Sequence, residues 1–360
     1  MGKKIAKPIF LDGPEKQNEF TIVVDDYKEQ LRELFFVQNP TLTFQPEKAP
    51  KKLPDPGGRW VYYPWLNTIV HILPEQEFFL VRTARNRNLI TAEEQEKFYN
   101  STIGIGGLSI GNSVALAIVL QGGGQRIKLA DFDRLSLTNT NRVRAGVQNL
   151  GLLKIEITAR QIYEMNPYAV VECFPDGLTP ENLDKFFSGL DVMIDELDNI
   201  AIKYLVREKA KQYRIPVVMA ADNGDNAVVD IERYDLDPNL AFFHGRLGNI
   251  THEELAKLDK FGIGKTITKH IGPENVTERM QDSLLDIGKT IVSWPQLGGA
   301  ALINGAAVAY CVRKIVCGQE LESNRALISP DAVLIPDFNT PASITKRKKI
   351  SANFKKIFGL

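Results

Sequence analysis

Cysteine is scarce and scattered in this chain. Cys173, Cys311 and Cys317, with only four histidines, form no CxxC pair and no spacing of the zinc-binding kind, which argues against both a structural zinc and a disulfide framework. Net charge is missing as well. Lys plus Arg equals Asp plus Glu at 44 each, so no global field recruits nucleic acid or an anionic membrane, and nucleic acid is not the expected partner. Long hydrophobic runs are also lacking. The opening MGKKIAKPIF has basic residues but no apolar stretch of signal-peptide length. The most apolar late segment, Gly298 to Val312, meets Arg313 and Lys314 before reaching the roughly twenty residues that a bilayer requires. It reads as a buried helix, with no membrane span, and the whole reads as a cytoplasmic protein in a reducing compartment.

What is present is a rhythm. A chain of 360 residues exceeds one compact domain, and its parts differ. Residues 1–90 lack repeating strand and helix, carry the Pro/Gly break KAPKKLPDPGGRW, and read as a small N-terminal accessory module. Within it, FTIVVDDYKEQLRELFF predicts a strand then a helix, and WVYYPWLNTIVHIL one or two β segments. Residues 91–320 are expected as the principal domain. There STIGIG, IKLAD, VVECF, DVMID and PVVMAA alternate with helices from about Ser109, Leu152, Pro180 and Asn199, which predicts an α/β fold: a Rossmann-like, mostly parallel sheet with helices on both faces. NAVVDIERYD alternates apolar and polar residues and predicts an antiparallel edge. A charged helical insertion at 236–293 and a C-terminal extension at 321–360 with a basic amphipathic tail complete the chain.

The run Gly104-Ile-Gly106-Gly107-Leu-Ser-Ile-Gly111 follows a predicted strand and opens a helix, where bare backbone lets a phosphate approach N–H groups and the positive end of the helix dipole. Twenty residues on, the next strand ends in Asp131, the position from which an acidic side chain accepts bonds from a ribose. These features alone suit an NAD- or FAD-binding oxidoreductase equally. The series that follows does not: Asp131-Phe-Asp133, then Asn139, Arg142, Lys154 beyond a Gly turn, and a strand ending Asp195-Glu-Leu-Asp198-Asn199. Cations and donors around three phosphates, with a carboxylate for a metal, suit attack by a carboxylate on an α-phosphate. Taken singly, Asp133 also suits a solvated turn, Asn139 an Asx turn, Arg142 and Lys154 a charged helix surface, and Asp198 a helix cap.

In this order, DxDxxxxxNxxR, GxxK and DxxDN resemble the signature of ThiF/MoeB/HesA-type, ubiquitin-activating-enzyme-like adenylyltransferases, over roughly residues 82–235. The resemblance implies ATP and Mg2+ as cofactors. It puts the nucleotide backbone on Gly104, Gly106 and Gly107, the ribose on Asp131 with Asp133 beside it, the phosphates on Asn139, Arg142 and Lys154, and the metal with the reacting centre at Asp198. It further implies a homodimer in which Arg87, from Arg85-Asn86-Arg87-Asn88, reaches the partner's nucleotide, and a small protein or peptide C-terminus as the carboxylate. The sequence departs from the pattern at Ser109, where a further Gly is usual, and it lacks the paired CxxC motifs, so no zinc is expected. No cysteine lies between Pro216 and Tyr310, so no enzyme-bound thioester is expected. A nucleotide-binding subunit that only stabilises another activating subunit is the non-enzymatic alternative. His244 reads as an ordinary core or surface histidine.

Overall fold

The computed structural model describes residues 5–360, so the first four residues of the basic opening lie outside the described residues. Two sheets organise the chain. In the N-terminal sheet, β1 (Ile9–Leu11), β2 (Ile22–Asp25), β3 (Arg59–Tyr63) and β4 (Thr68–Ile72) run in the order β1-β3-β4-β2. The strand-then-helix pattern of FTIVVDDYKEQLRELFF is β2 followed by the helix Tyr27–Gln38, and WVYYPWLNTIVHIL supplies β3 and β4. This sheet is held to the helix Lys154–Met165 and the loop after it by aromatic groups with polar tips. The Tyr63 hydroxyl donates to the Tyr163 carbonyl (3.3 Å), Tyr168 to that of Leu73 (2.7 Å), and the Trp65 indole to Glu164 (2.6 Å).

The principal sheet holds β5 (Thr102–Gly106), β6 (Arg126–Ala130), β7 (Val170–Phe174), β8 (Val192–Asp195), β9 (Val217–Asn223), β10 (Asn226–Glu232) and β11 (Asn324–Ile328), in the order β11-β10-β9-β8-β5-β6-β7. Strands β5 to β9 are parallel; β10 and β11 are antiparallel. The parallel strands are apolar at nearly every position because both faces are covered. Alternate side chains of β8 show it: Val192 and Ile194 join the core with the helices Ile110–Leu120 and Gly298–Val316, while Met193 joins Phe186, Val206 and Ala210 on the opposite face.

The strand NAVVDIERYD is antiparallel as expected but is not the edge. β11 pairs outside it, and every residue of β10 is buried. The alternation that suggests a wet face has another cause. Val229 and Ile231 enter the apolar core, whereas Asp230 meets Arg325 (2.7 Å) and His244 (2.6 Å), and Glu232 meets Arg207 (2.8 Å) and the Tyr234 hydroxyl (2.7 Å). The polar face of β10 is thus satisfied by buried ion pairs rather than by water.

Helix Gly298–Val316 passes a length and composition test for a membrane span, yet half of its most apolar window is buried inside the fold. Its small residues let it approach helix Ile110–Leu120 closely. A Cβ on Gly305 would lie 2.8 Å from the backbone carbonyl of Ser113, so the spacing of the two helices depends on that glycine. We expect Gly305→Leu to lower stability by about 2 kcal/mol, the usual cost of overpacking a core. Urea denaturation checks this, and an unchanged midpoint would show that the helices separate without penalty.

Candidate active site

The site forms at the carboxyl ends of the parallel strands, where the chain winds one way from β5 to β6 and the other way to β8. Such a switch point leaves a crevice. β5 ends at Gly106, and Gly107 turns with φ +85°; a Cβ there would stand 2.2 Å from the Glu196 carbonyl oxygen, so only glycine fits. Gly107 donates to the Ala130 carbonyl (2.9 Å) and Leu108 to the Asp131 carboxylate (2.6 Å), whose other oxygen accepts the Asp133 N–H (2.7 Å). Asp131 therefore ties the glycine turn to the end of β6. Burial pushes its pKa up, against the pull of Lys154 and the two backbone donors.

Around this turn lies a cavity of about 340 Å3 that includes Gly107, Asp131, Asp133, Lys154 and Asp198, with Phe132, Leu178, Pro180 and Ile202 as apolar wall. Lys154 opens the helix Lys154–Met165, is almost wholly covered, and holds Asp133 at 2.8 Å. Asp198 follows β8, is exposed, and makes no ion pair among the described residues. Its wall, Glu196-Leu197-Asp198, also bounds a second cavity of about 390 Å3 that contains Arg142. The Arg142 guanidinium donates to the Ser109 hydroxyl (2.9 Å) and to the Thr138 carbonyl (3.2 Å). Burial lowers its pKa, with Asp222 and Asp198 acting in the opposite sense. Ser109, where the family pattern has Gly, is thus a hydrogen-bond acceptor that fixes Arg142.

Three of the residues expected at the nucleotide have other places. Gly104 is inside β5, where a Cβ would meet Leu190 at 2.6 Å and Phe186 at 2.8 Å; it provides room for packing and does not line the cavity. Gly106 is buried against Leu178 and Leu197 (3.2 Å to an added Cβ) and contributes its carbonyl to the Glu196 N–H (2.8 Å). Asn139 lines neither cavity: its side-chain oxygen accepts the Ser136 N–H (3.1 Å) and its carbonyl accepts that of Arg142 (3.1 Å). It builds the turn that carries Arg142, the role of an Asx turn. Arg87 is exposed and lines neither cavity of its own chain. His244 is engaged with Asp230 and lies outside both. None of the cysteines borders either cavity; burial pushes the Cys173 thiol up to about 12 and that of Cys311 to about 11.

The second cavity brings in residues that the sequence reading gave no role. Asp222 is the penultimate residue of the parallel strand β9, Glu196 follows β8, Lys203 lies on helix Ile200–Tyr213, His270 on helix Lys260–Ile271 after β10, and Trp294 in the segment before helix Gly298–Val316. A carboxylate at the carboxyl end of a parallel strand is a signal available in the sequence; His270 has none.

Beneath both cavities is a buried ion cluster. Asp195, the last residue of β8, has no exposed surface and lies between Lys203 (3.1 Å) and the guanidinium of Arg207, which also reaches Glu232 (2.8 Å). Burial alone would raise the Asp195 carboxyl, but Lys203 and Arg207 hold it below the usual carboxylate range.

A glycine turn, an acidic strand end and a crevice at the switch point of a doubly wound sheet define a Rossmann-like α/β protein. Residues 83–241 match the model described as "ThiF family". It is 40% identical over 286 residues to the uncharacterized protein MT1398 of Mycobacterium tuberculosis (strain CDC 1551 / Oshkosh), across 78% of this chain and 40% of that protein. To the tRNA threonylcarbamoyladenosine dehydratase of Escherichia coli (strain K12) it is 33% identical, across 40% of this chain and 56% of the relative. To the sulfur carrier protein adenylyltransferase of Thermus thermophilus it is 27% identical, across 42% and 52%. The chain thus spans between 40% and 56% of the length of these relatives. The crystal structure of E. coli MccB with ATP has the same fold, with a TM-score of 0.51 at 18% identity over 72% of this chain and 77% of that one.

Arg207→Met should leave Asp195 and Glu232 buried without their shared cation, at a cost of about 3–5 kcal/mol. Equilibrium denaturation measures it, and a loss under about 1 kcal/mol would mean that Lys203 alone compensates Asp195.

Proposed function

We propose that the chain adenylates a carboxylate with ATP. One observation carries the reading: the cavity at the glycine turn, with Lys154 and the acidic pair Asp131 and Asp133, shares the Asp198 wall with a second cavity that holds Arg142. In this reading the nucleotide occupies the first and the carboxylate substrate enters from the second. A substrate carboxylate oxygen attacks the α-phosphorus, an O–P bond forms, and the bond from α-phosphorus to the oxygen bridging to the β-phosphate breaks. Acyl-AMP and pyrophosphate result, with no nucleophile from the protein. Lys154 and Arg142 neutralise charge on the phosphates, and the N–H groups of the glycine turn approach them.

Magnesium fits this arrangement. Magnesium is usually held by one or two carboxylates together with substrate phosphates; Asp198 is exposed and unpaired in this way, and no group of three or more metal-ligating side chains is assembled among the described residues. When bound, the ion supplies charge neutralisation at the phosphates.

The name of the Thermus relative supports the adenylation reading. We infer a small protein or peptide C-terminus as substrate, chosen by the N-terminal module at 1–90 or by the insertion at 236–293, on a principal domain that begins near 91 and takes in β11 (Asn324–Ile328), with the helix Pro341–Phe358 as its extension. We further infer a cytoplasmic homodimer with Arg87 acting in trans, and no protein thioester. The name of the E. coli relative favours a second reading, a carboxylate on a modified tRNA base, and the lysines of helix Pro341–Phe358 would serve it.

We expect isothermal titration to show tighter binding of magnesium ATP than of NAD; tight NAD binding without ATP binding would reverse the assignment to an oxidoreductase. Asp198→Ala should abolish ATP–pyrophosphate exchange with its substrate while circular dichroism stays unchanged. Exchange at the wild-type rate would remove Asp198 from the chemistry.

Subunit mixing tests Arg87. Arg87→Ala and Asp198→Ala should each be inactive, and their mixture should recover about a quarter of wild-type activity, since half the dimers are mixed and each has one working site. A mixture that stays inactive after proven subunit exchange would place Arg87 in its own subunit's service.

A further inference from the structure

The second cavity holds three carboxyl groups in its walls, those of Glu196, Asp198 and Asp222, against two cations, Lys203 and Arg142. Its apolar lining includes Ile110, Met219, Ile263 and Trp294, and among these Glu196 and Asp222 present carboxyl groups. One oxygen of Glu196 accepts the Ala220 N–H (2.9 Å). Asp222 accepts the side-chain amides of Asn304 and Gln296 (3.3 Å to the latter). Neither carboxyl has an ion-pair partner among the described residues.

The cations nearby are already engaged. Lys203 is held by the carboxylate and the carbonyl of Asp195 (both 3.1 Å), Arg207 by Asp195 and Glu232, and Arg325 by Asp230 (2.7 Å). Arg142 lines this cavity only and is bonded to Ser109, a residue of the first cavity's wall. A second observation is independent of the acids. His270, 2% exposed, lines the same cavity, and neither ring nitrogen has a hydrogen-bond partner. A neutral imidazole offers one acceptor nitrogen.

Resting on the adenylation reading, we propose that this cavity receives the cationic side chain, ammonium or guanidinium, of the residue whose carboxylate is activated, so that the substrate ends in lysine or arginine. The ligand would bring three or more N–H donors and a positive charge to a cavity that offers two carboxyls and an imidazole, while its carboxylate stays at the mouth near Arg142 and the nucleotide. Proton affinities agree with this geometry. Burial pushes Asp222 up to about 6 and drives His270 well down. The charged groups facing these two are Arg142, Lys203, Glu196 and Asp198 and, behind His270, Asp230 at 3.8 Å, Arg207 and Arg325. A cation entering beside Asp222 would lower it, so binding releases protons.

The test is calorimetry on the full chain saturated with magnesium α,β-methylene ATP, using N-acetylated pentapeptides identical except for a last residue of lysine, arginine, norleucine, glutamine or glutamate, with free lysine and free arginine as separate arms. We expect the lysine or arginine peptide to bind at least about tenfold more tightly than the norleucine one, as a desolvated charge pair gives. At pH 6.5 the observed binding enthalpy should change linearly with buffer ionisation enthalpy, with the slope that proton release gives. Asp222→Asn should cut the preference to about threefold or less, with the affinity for the nucleotide analogue unchanged. Equal binding of the free amino acids would assign the same chemistry to a small molecule. Norleucine or glutamine binding as well as lysine, or a preference that survives Asp222→Asn, overturns the proposal. So does the failure of every peptide when the nucleotide analogue binds, and the nucleotide reading then stands. If the analogue does not bind but the lysine preference remains, the adenylation reading falls and the cation pocket does not.

Discussion

The carboxylate of Asp195 is the constraint on which the rest of the structure depends. It lies at the end of the central strand β8 with no exposed surface and is neutralised by Lys203 and Arg207 from the helix that follows. That pairing fixes the loop Glu196-Leu197-Asp198 between a strand it terminates and a helix it introduces. The loop in turn fixes everything around it: the Glu196 carbonyl excludes any side chain at Gly107, and the Glu196 N–H closes on Gly106. A buried ion pair is weak evidence for net stability. Here its consequence is positional, because Arg207 extends the same charge network to Glu232 on β10 and so sets the antiparallel part of the sheet against the parallel part.

Two cavities divide by one short wall, and the division follows from the order of the strands. The glycine turn and β6 serve one side; β9 and the helices after β10 serve the other. The helical stretch that looked in sequence like a charged insertion closes the second cavity with Ile263, Ile267 and His270. It is therefore part of the wall of the site, not an ornament on the fold.

Much of this was legible in the sequence where local rules decide the outcome. Apolar strands alternating with helices gave the parallel sheet, and the glycine spacing located the turn, since backbone without side chains has few other uses at a strand end. Asp131, Lys154 and Asp198 gather at one cavity as their order suggested. What could not be read was anything decided by tertiary partners. Asn139 looks like a ligand or a turn former equally well until its oxygen is found on the Ser136 N–H. Gly104 carries the same motif as Gly107, yet it faces Leu190 and Phe186. The polar residues of β10 imitate a solvated edge because the sequence does not record that Arg207 and Arg325 lie opposite them.

The edge strand β11 has a consequence for how the molecule comes to be folded. β10 pairs with β9 through a tight turn, but its other neighbour arrives only after some ninety residues, and the Asp230 to Arg325 bond joins positions 95 apart. On the ribosome, β10 is therefore complete while its outer hydrogen-bonding row and the Asp230 carboxylate still lack their partners. The closure of so long a loop is slow, and an open strand edge invites pairing with another chain in the meantime. The sheet that carries the site thus passes through a stage in which a strand with two carboxylates to bury, Asp230 and Glu232, is its least protected one, and the late-made segment acts as its seal.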